Sequence, residues 1–260
     1  MRARNIDDLL GKHISDKEYM KLESIEIDDG VSNIPAGSFY ELDNLKSVYI
    51  PKNVKYIYSG VLRRCENLES VVISEGVVKI GSSFCGSCRK LSSITIPKSV
   101  EELGACSFNG CTNLASIKLD ARAIGYESFR NCKALSSITI GQNVQSIGVD
   151  IFEGCRNVKK IVVDNNNEYY DSRDNCNAII ETQSNTMIYA CNTSKIPYSV
   201  KIISDEAFRN CGRMRKIFLP NSLESIGYLP ISLQTIIIPK GSKGKFKKLI
   251  PHLKHKFVEQ

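Results

Sequence analysis

The sequence predicts a repeat solenoid, in which short coils of chain stack along one axis and place their strands in a parallel β-sheet. Two observations predict it: one motif recurs about every 23 residues, and the same motif positions are apolar in each copy. The copies that begin at Leu68, Leu91 and Leu135 read LESVVISEGVVKIGSSFCGSC, LSSITIPKSVEELGACSFNGC and LSSITIGQNVQSIGVDIFEGC. One coil cannot bury its apolar side alone, so the copies must pack on one another.

Ten starts of repeat units are visible along the chain. They are Leu22, Leu45, Leu68, Leu91, Leu114, Leu135, Val158, Cys191, Met214 and Leu233. The solenoid is therefore predicted over residues 22–239. Residues 1–21 and 240–260 do not fit the repeat and are predicted to be an N-terminal cap and a basic C-terminal cap, since a stacked array needs its terminal cores covered.

The unit from Leu91 shows how each element of a coil is predicted. Alternation of Leu91, Ile94 and Ile96 with polar residues indicates a short strand with one buried face. Pro97 then ends the strand, because proline has no amide hydrogen for a sheet. Glycine follows the next inward Ile or Leu, and we expect a corner there, where a backbone without Cβ turns freely. These corner glycines are Gly81, Gly104, Gly125, Gly148 and Gly227.

Two further positions predict ladders inside the stack. Phenylalanine recurs at one position, and truncating a member should be costly. Cysteine recurs three residues later, where it is expected to pack as a small hydrophobic residue with a free thiol. The phenylalanines are Phe39, Phe108, Phe129, Phe152 and Phe208, and the cysteines are Cys65, Cys88, Cys111, Cys132, Cys155 and Cys211.

The full pattern, L-x-x-I-x-I-P-x-x-V-x-x-I-G-x-x-A-F-x-x-C, resembles the BspA-like class of leucine-rich repeats from Leu22 to about Pro239. The Phe-x-x-Cys elements at Phe108, Phe129 and Phe208 carry the resemblance most clearly. It implies a curved α/β-type solenoid with a parallel sheet on its concave side and short helical or 3-10 turns. It also implies a non-enzymatic protein. Members of the class are often surface or secreted proteins of mucosal bacteria and protists, and several are adhesins.

Catalytic, cofactor and metal sites have little support in the sequence. The only histidines, His13, His252 and His255, lie in the predicted caps, so the repeats lack a histidine base. The Cys85-Gly-Ser-Cys88 pair has no second pair at zinc-finger spacing. We therefore expect no enzymatic activity, no cofactor, no metal and no small-molecule substrate. Whether Cys106, Cys176 or Cys191 forms a disulfide cannot be deduced from the sequence.

The unit from Val158 is ten residues longer than a normal coil and is predicted to contain a hairpin within residues 164–190. Asp164, Asn166 and Glu168 have the spacing of calcium ligands, but Tyr169 stands where a calcium loop has glycine, which favours a plain turn. Insertions that project from a solenoid often contain the residues that bind a partner. The candidate binding residues of this insertion are Tyr169, Tyr170, Arg173 and Asp174.

Outward positions of the concave strands form a second candidate surface, because parallel strands in register place them in one row. Several are apolar, which indicates either the β-propensity of strand residues or a protein-binding patch. In chain order the row is Glu26, Tyr49, Val72, Thr95, Lys118, Thr139, Val162, Lys195, Phe218 and Ile237.

Charge is concentrated at the C-terminal end. The net charge is +7, of which seven lysines and Glu259 place +6 in the last 21 residues. A short amphipathic cap with a lysine face explains this pattern. The alternative is a site for an anionic polymer, such as acidic polysaccharide, lipid head groups or nucleic acid. The basic patch of that alternative is Lys243, Lys245, Lys247 and Lys248.

These observations predict a non-catalytic protein-binding or adhesion module with a rigid concave surface for a host or cell-surface protein. The alternative is an intracellular scaffold that binds an anionic partner through the basic cap. Residues 1–10 lack the apolar segment of a secretory signal, and no apolar run is long enough for a membrane span. As written, the chain is expected in the cytoplasm, whereas the resemblance favours the cell surface or secretion after removal of a leader.

Overall fold

The computed structural model describes residues 6–260 and confirms the predicted repeat solenoid of stacked coils with parallel strands. The chain divides into two compact units at residues 157 and 158. Unit 1 comprises α1 (Ile6–Leu10), α2 (Asp16–Tyr19), β1 (Ser24–Glu26), β2 (Asn33–Ile34), β3 (Ser47–Ile50), β4 (Tyr56–Ile57), β5 (Ser70–Ile73), β6 (Lys79–Ile80), β7 (Ser93–Thr95), β8 (Glu102–Leu103), β9 (Ser116–Leu119), β10 (Ala123–Ile124), β11 (Ser137–Ile140) and β12 (Ser146–Ile147).

Each coil of unit 1 contributes one strand to each of two kinds of parallel sheet. The longer strands pair in register one coil apart, so that Val48 lies opposite Ile25 and Val71. The two-residue strands form a separate six-stranded sheet from β2 to β12, which the sequence analysis did not predict. Between them the chain makes isolated turns, as where the Cys65 N–H donates to the Leu62 carbonyl at 3.3 Å.

Unit 2 contains two sets of parallel strands together with the antiparallel strands of the insertion. It comprises β13 (Lys160–Val163), β14 (Tyr170–Asp171), a 3-10 turn (Arg173–Asn175), β15 (Ala178–Glu181), β16 (Thr186–Ala190), β17 (Ile202–Ile203), β18 (Lys216–Phe218), β19 (Ser225–Ile226), β20 (Thr235–Ile238), α3 (Lys243–Leu249), a 3-10 helix (Pro251–Lys256) and β21 (Phe257–Glu259). Strands β14, β15 and β16 pair antiparallel, β16, β17 and β19 pair parallel, and β18, β20 and β21 pair parallel.

The C-terminal segment covers the end of the unit 2 core. Phe246 and Ile250 belong to the same buried cluster as Leu223 and Ile236, and the partly buried Leu253 packs against that cluster. The α-helix of this amphipathic cap ends at Leu249, and Phe257 begins a strand that pairs in register with β20.

The unit 1 core contains a stack of phenylalanine rings. Centroids of Phe108 and Phe129 lie 5.3 Å apart and those of Phe129 and Phe152 5.8 Å apart, both with stacked rings. Phe84 extends the stack with an edge-on ring 6.0 Å from Phe108. In the coil that begins at Leu68, Cys85 stands at the phenylalanine position of the motif, and the preceding residue, Phe84, supplies the ring.

The predicted reason for the corner glycines was wrong. Gly125 does not have the left-handed backbone that glycine favours; the left-handed residue of that corner is Glu127, with a φ of 52°. A Cβ on Gly125 would instead lie 2.5 Å from the backbone nitrogen of Ala105 in the preceding coil, and one on Gly104 would lie 2.5 Å from that of Ser82. These glycines are required because neighbouring coils approach too closely for any side chain.

Candidate binding surfaces

The outward strand row of unit 1 exposes apolar side chains beside polar ones. Tyr49 lies in register between Glu26 and Val72, with Tyr49 41% and Val72 53% exposed. Adjacent strands place these side chains about 4.8 Å apart. Thr95 and Lys118 continue the row as exposed residues and Thr139 as a half-buried one. Along this row an aromatic and a branched side chain therefore stand side by side, and a lysine stands two coils beyond Val72.

A row of serines runs beside these outward side chains. Ser24, Ser70, Ser93 and Ser116 are exposed, and Ser47 and Ser137 are half-buried. The Ser74 hydroxyl, at the end of β5, donates a 3.4 Å hydrogen bond to the Tyr49 hydroxyl oxygen. Apolar side chains within a rim of hydroxyl groups are typical of the centre of a protein interface.

The outward positions of unit 2 differ from the prediction at two places. Val162 is exposed, but Lys195 lies outside any strand, and Ile237 is buried with 8% exposure. Ile237 is covered because its register neighbours are Phe218 on one side and Val258 of the unpredicted strand β21 on the other. Phe218 is itself half-buried and packs against the ring of Tyr198, with centroids 5.5 Å apart.

Most candidate residues of the insertion serve its own structure. Tyr170 is buried. Arg173 pairs through two nitrogens with the Asp171 carboxylate and donates further hydrogen bonds to Asn185 at 2.7 Å and Ser199 at 3.2 Å. Partial burial raises the pKa of Asp171, but its hydrogen bonds with Arg173 outweigh burial and hold that pKa below its ordinary value.

Of the four candidate residues of the insertion, two are exposed: Tyr169, at 43%, and Asp174. The acidic spacing before them forms turns: Asp164 Oδ1 accepts from the Asn166 N–H at 2.9 Å, and Asn167 Oδ1 accepts from the N–H groups of Tyr169 and Tyr170. Within residues 6–260, no group of three or more acidic, histidine or cysteine side chains could hold a metal ion.

The cysteine ladder is a set of buried hydrogen-bond donors. The Cys65 thiol donates to the Phe39 carbonyl at 3.0 Å, Cys88 to Leu62 at 3.1 Å, and Cys155 to Phe129 at 3.0 Å. Each bond reaches back to the preceding coil. All ten cysteines are free, and all but Cys106 are buried. Burial raises the pKa of Cys65 and of Cys211 to about 12 and that of Cys176 to about 11.

Thiol labelling is expected to distinguish Cys106 from the other cysteines. At mildly alkaline pH a disulfide reagent such as DTNB should modify one thiol in the folded protein and ten after denaturation, because buried, protonated thiols neither meet the reagent nor form thiolates. Cys106→Ser should abolish the fast reaction and leave the unfolding midpoint close to that of the parent. Rapid modification of two or more thiols in the folded Cys106→Ser protein would contradict the buried ladder.

The basic patch is only partly available for a ligand. Lys243, Lys247 and Lys248 are exposed, and none of them forms an ion pair with the residues described. Lys245 is half-buried and its ammonium group donates to the Asn221 carbonyl. Three of the four ammonium groups of this patch are therefore exposed and free of ion pairs with the described residues.

The histidines stand outside the repeats. His13 Nδ1 lies 2.7 Å from Asp7 Oδ2 in an exposed contact. His252 and His255 are exposed on the C-terminal 3-10 helix. None of the helices within residues 6–260 combines the length and hydropathy of a membrane span.

Comparison with known protein families identifies the repeat. The BspA type leucine rich repeat region matches in six copies, over residues 17–115, 78–183 and 180–245. The chain belongs to this family. BspA-type repeats are generally protein-interaction modules and typically lack catalytic activity. The comparison with curated proteins finds no match.

Solved structures share the fold of this chain. A leucine rich cell surface protein from Faecalibacterium prausnitzii is 27% identical, with a TM-score of 0.64 over 83% of this chain and 60% of that one. A leucine rich repeat protein from T. pallidum is also 27% identical, with a TM-score of 0.51 over 54% and 69% of the two chains. The pneumococcal vaccine antigen PcpA, at 19% identity and a TM-score of 0.64 over 84% and 65%, shares the fold. The chain thus spans about 60% of the first of these relatives.

Proposed function

We propose that this chain is a non-catalytic protein-binding module that uses the outward strand face of unit 1 for adhesion to a host or cell-surface protein. The observation that carries the proposal is the exposed pair Tyr49 and Val72, adjacent in register and bordered by serine hydroxyls. Tyrosine is enriched among the residues that dominate binding energy at interfaces. The name of the F. prausnitzii relative, a leucine rich cell surface protein, supports the cell-surface part of the proposal.

The mechanism is rigid display. Tyr49 lies on β3, which pairs in register with β1 and β5, and Val72 lies on β5, which pairs with β3. The neighbouring Val48 and Val71 are buried and anchor both strands in the core. A surface fixed before binding loses little conformational entropy when a partner docks. Because the pair is apolar, its contribution to affinity should change little with salt, whereas exposed charge pairs weaken as ionic strength rises.

Binding of the purified chain to a panel of extracellular matrix and cell-surface proteins tests this proposal. The double variant Tyr49→Ser with Val72→Ser should weaken binding about tenfold or more, at both low and high salt. Tyr126→Ser is the matched control, since Tyr126 is 55% exposed but lies outside this row, and it should leave affinity unchanged. Equal affinity of the double variant and the control would overturn the proposal.

A second function, binding of an anionic polymer, is favoured by the three exposed lysines of α3, which form no ion pair with the described residues. The same panel distinguishes the two, because polyanion binding falls steeply with salt. The triple variant Lys243→Gln, Lys247→Gln and Lys248→Gln should abolish binding to heparin while leaving binding to proteins unchanged. Heparin binding that survives this substitution would rule these three lysines out as the binding site.

A further inference from the structure

The outer edge of β1 is open. Ile25 and Ile27 face β3, as shown by the Ile27 N–H, which donates to the Tyr49 carbonyl at 3.2 Å. Alternation along a strand therefore turns the backbone N–H and C=O of Ser24 and Glu26 away from β3. No backbone group within residues 6–260 pairs with them there. The open stretch ends at Asp28, whose N–H donates to the Leu9 carbonyl of α1 at 3.0 Å.

A groove of about 470 Å³ lies along this open edge, between β1 and the end of α1. Its apolar lining includes Leu10 and Leu22, which are both half-buried and hence reachable from the groove. The groove thus places unpaired backbone donors and acceptors beside exposed apolar surface. An extended peptide satisfies both, since its backbone pairs with the strand while alternate side chains contact the apolar wall.

The charge of the groove selects the kind of peptide. Among residues 6–260, three carboxylates line it, those of Glu26, Asp28 and Asp29, together with one ammonium group, that of Lys12. The nearby Glu23 carboxylate is already paired with Lys46, 2.8 Å away. The groove therefore complements side chains of positive charge on the peptide positions that do not face the apolar wall.

We propose that this groove binds an extended basic segment of a partner protein, which adds to the sheet as a strand beside β1. Up to four backbone hydrogen bonds become available through Ser24 and Glu26, and Leu10 and Leu22 receive the apolar side chains. An open strand edge is a ready template for such pairing. The site does not depend on the proposed function, because the groove can bind its strand whether or not the Tyr49 and Val72 face binds a protein.

A seven-residue peptide that alternates lysine and valine is the probe. We expect it to bind the full chain about tenfold or more tightly than a peptide in which glutamate replaces lysine. A lysine peptide with its central valine replaced by proline has the same charge but cannot complete a strand, so it should bind as weakly as the glutamate peptide. Equal binding of the lysine and proline peptides would overturn strand addition, and equal binding of the lysine and glutamate peptides would overturn the charge selection.

Hydrogen exchange locates the bound strand. Saturating lysine–valine peptide should slow exchange of the Ser24 and Glu26 amides by about tenfold or more, because they acquire acceptors, and leave amides of the far β11 strand unchanged. Exchange of Ser24 and Glu26 that stays as fast with peptide as without it would overturn the site.

Two substitutions of Glu26 distinguish the contribution of the edge hydrogen bonds to peptide binding from the contribution of charge. Glu26→Pro removes an edge N–H that the β1–β3 pairing does not use, together with a carboxylate, whereas Glu26→Gln removes the charge alone. We expect the proline variant to lose peptide binding and the glutamine variant to lose only part of it. Leu10→Glu leaves β1 intact and should also lose peptide binding. This variant replaces the proline variant as the test if the proline variant does not fold. Unchanged affinity in Leu10→Glu would overturn the groove, and unchanged affinity in Tyr49→Ser with Val72→Ser is expected.

Discussion

Replacing Gly125 with alanine is expected to lower the free energy of unfolding by about 3 kcal/mol, at the upper end of the usual cost of overpacking. The new methyl carbon would lie 2.5 Å from the Ala105 nitrogen and 2.7 Å from the Gly104 carbonyl carbon. Both are backbone atoms of the preceding coil, so no side-chain rotation relieves the contact. The coils must separate, which strains the 2.7 Å hydrogen bond from the Gly125 N–H to the Leu103 carbonyl.

Urea unfolding followed by circular dichroism measures this loss. Gly212→Ala is the matched control, because a Cβ there has no neighbour within 4 Å and its backbone is not left-handed. We expect the control to lie within about 0.5 kcal/mol of the parent. If Gly125→Ala unfolds at the same urea concentration as Gly212→Ala, close approach of the coils is not what requires glycine at this corner.

The repeat could be predicted from sequence because its cause is local and recurs. Residues such as Ile94 and Ile117 are 23 positions apart and face the same core, so one apolar pattern specifies strand, register and stacking together. The second sheet could not be predicted, because strands of two residues, such as Lys79–Ile80, contain no alternation to detect. The corner glycines were found by their recurrence, but their reason lies in the distance between coils, which spacing alone does not give.

The candidate surfaces were less predictable than the repeat, because parts of them depend on contacts between distant segments of the chain. Exposure of Tyr49 and Val72 follows from alternation within one strand, and the structure agrees. Burial of Ile237 depends on β21, a strand whose pairing is decided by the fold of the C-terminal segment rather than by a repeat. The groove at β1 is likewise formed by α1, which has no counterpart in the repeat, and its unpaired backbone groups leave no mark in the sequence.

Truncating Phe129 to alanine is expected to cost about 3–5 kcal/mol, the usual range for removing a buried aromatic ring. Phe129 is fully buried and stacks on both sides, against Phe108 at 5.3 Å and Phe152 at 5.8 Å. Its removal therefore opens a cavity between three coils, and the rings on either side each lose a stacked neighbour. Stacked aromatic pairs contribute about 0.5–1.5 kcal/mol beyond the area they bury.

Three comparisons isolate these causes in the urea unfolding of unit 1. Tyr126→Ala removes an exposed ring from the same coil, so it should cost far less than Phe129→Ala. Phe129→Leu keeps most of the volume but not the stacking, and its cost should be intermediate. In a double-mutant cycle, the effects of Phe129→Leu and Phe108→Leu on the free energy of unfolding should differ from additivity by at least about 0.5 kcal/mol. Strict additivity would contradict a cooperative ring stack, and it would mean that each coil keeps its phenylalanine for burial alone.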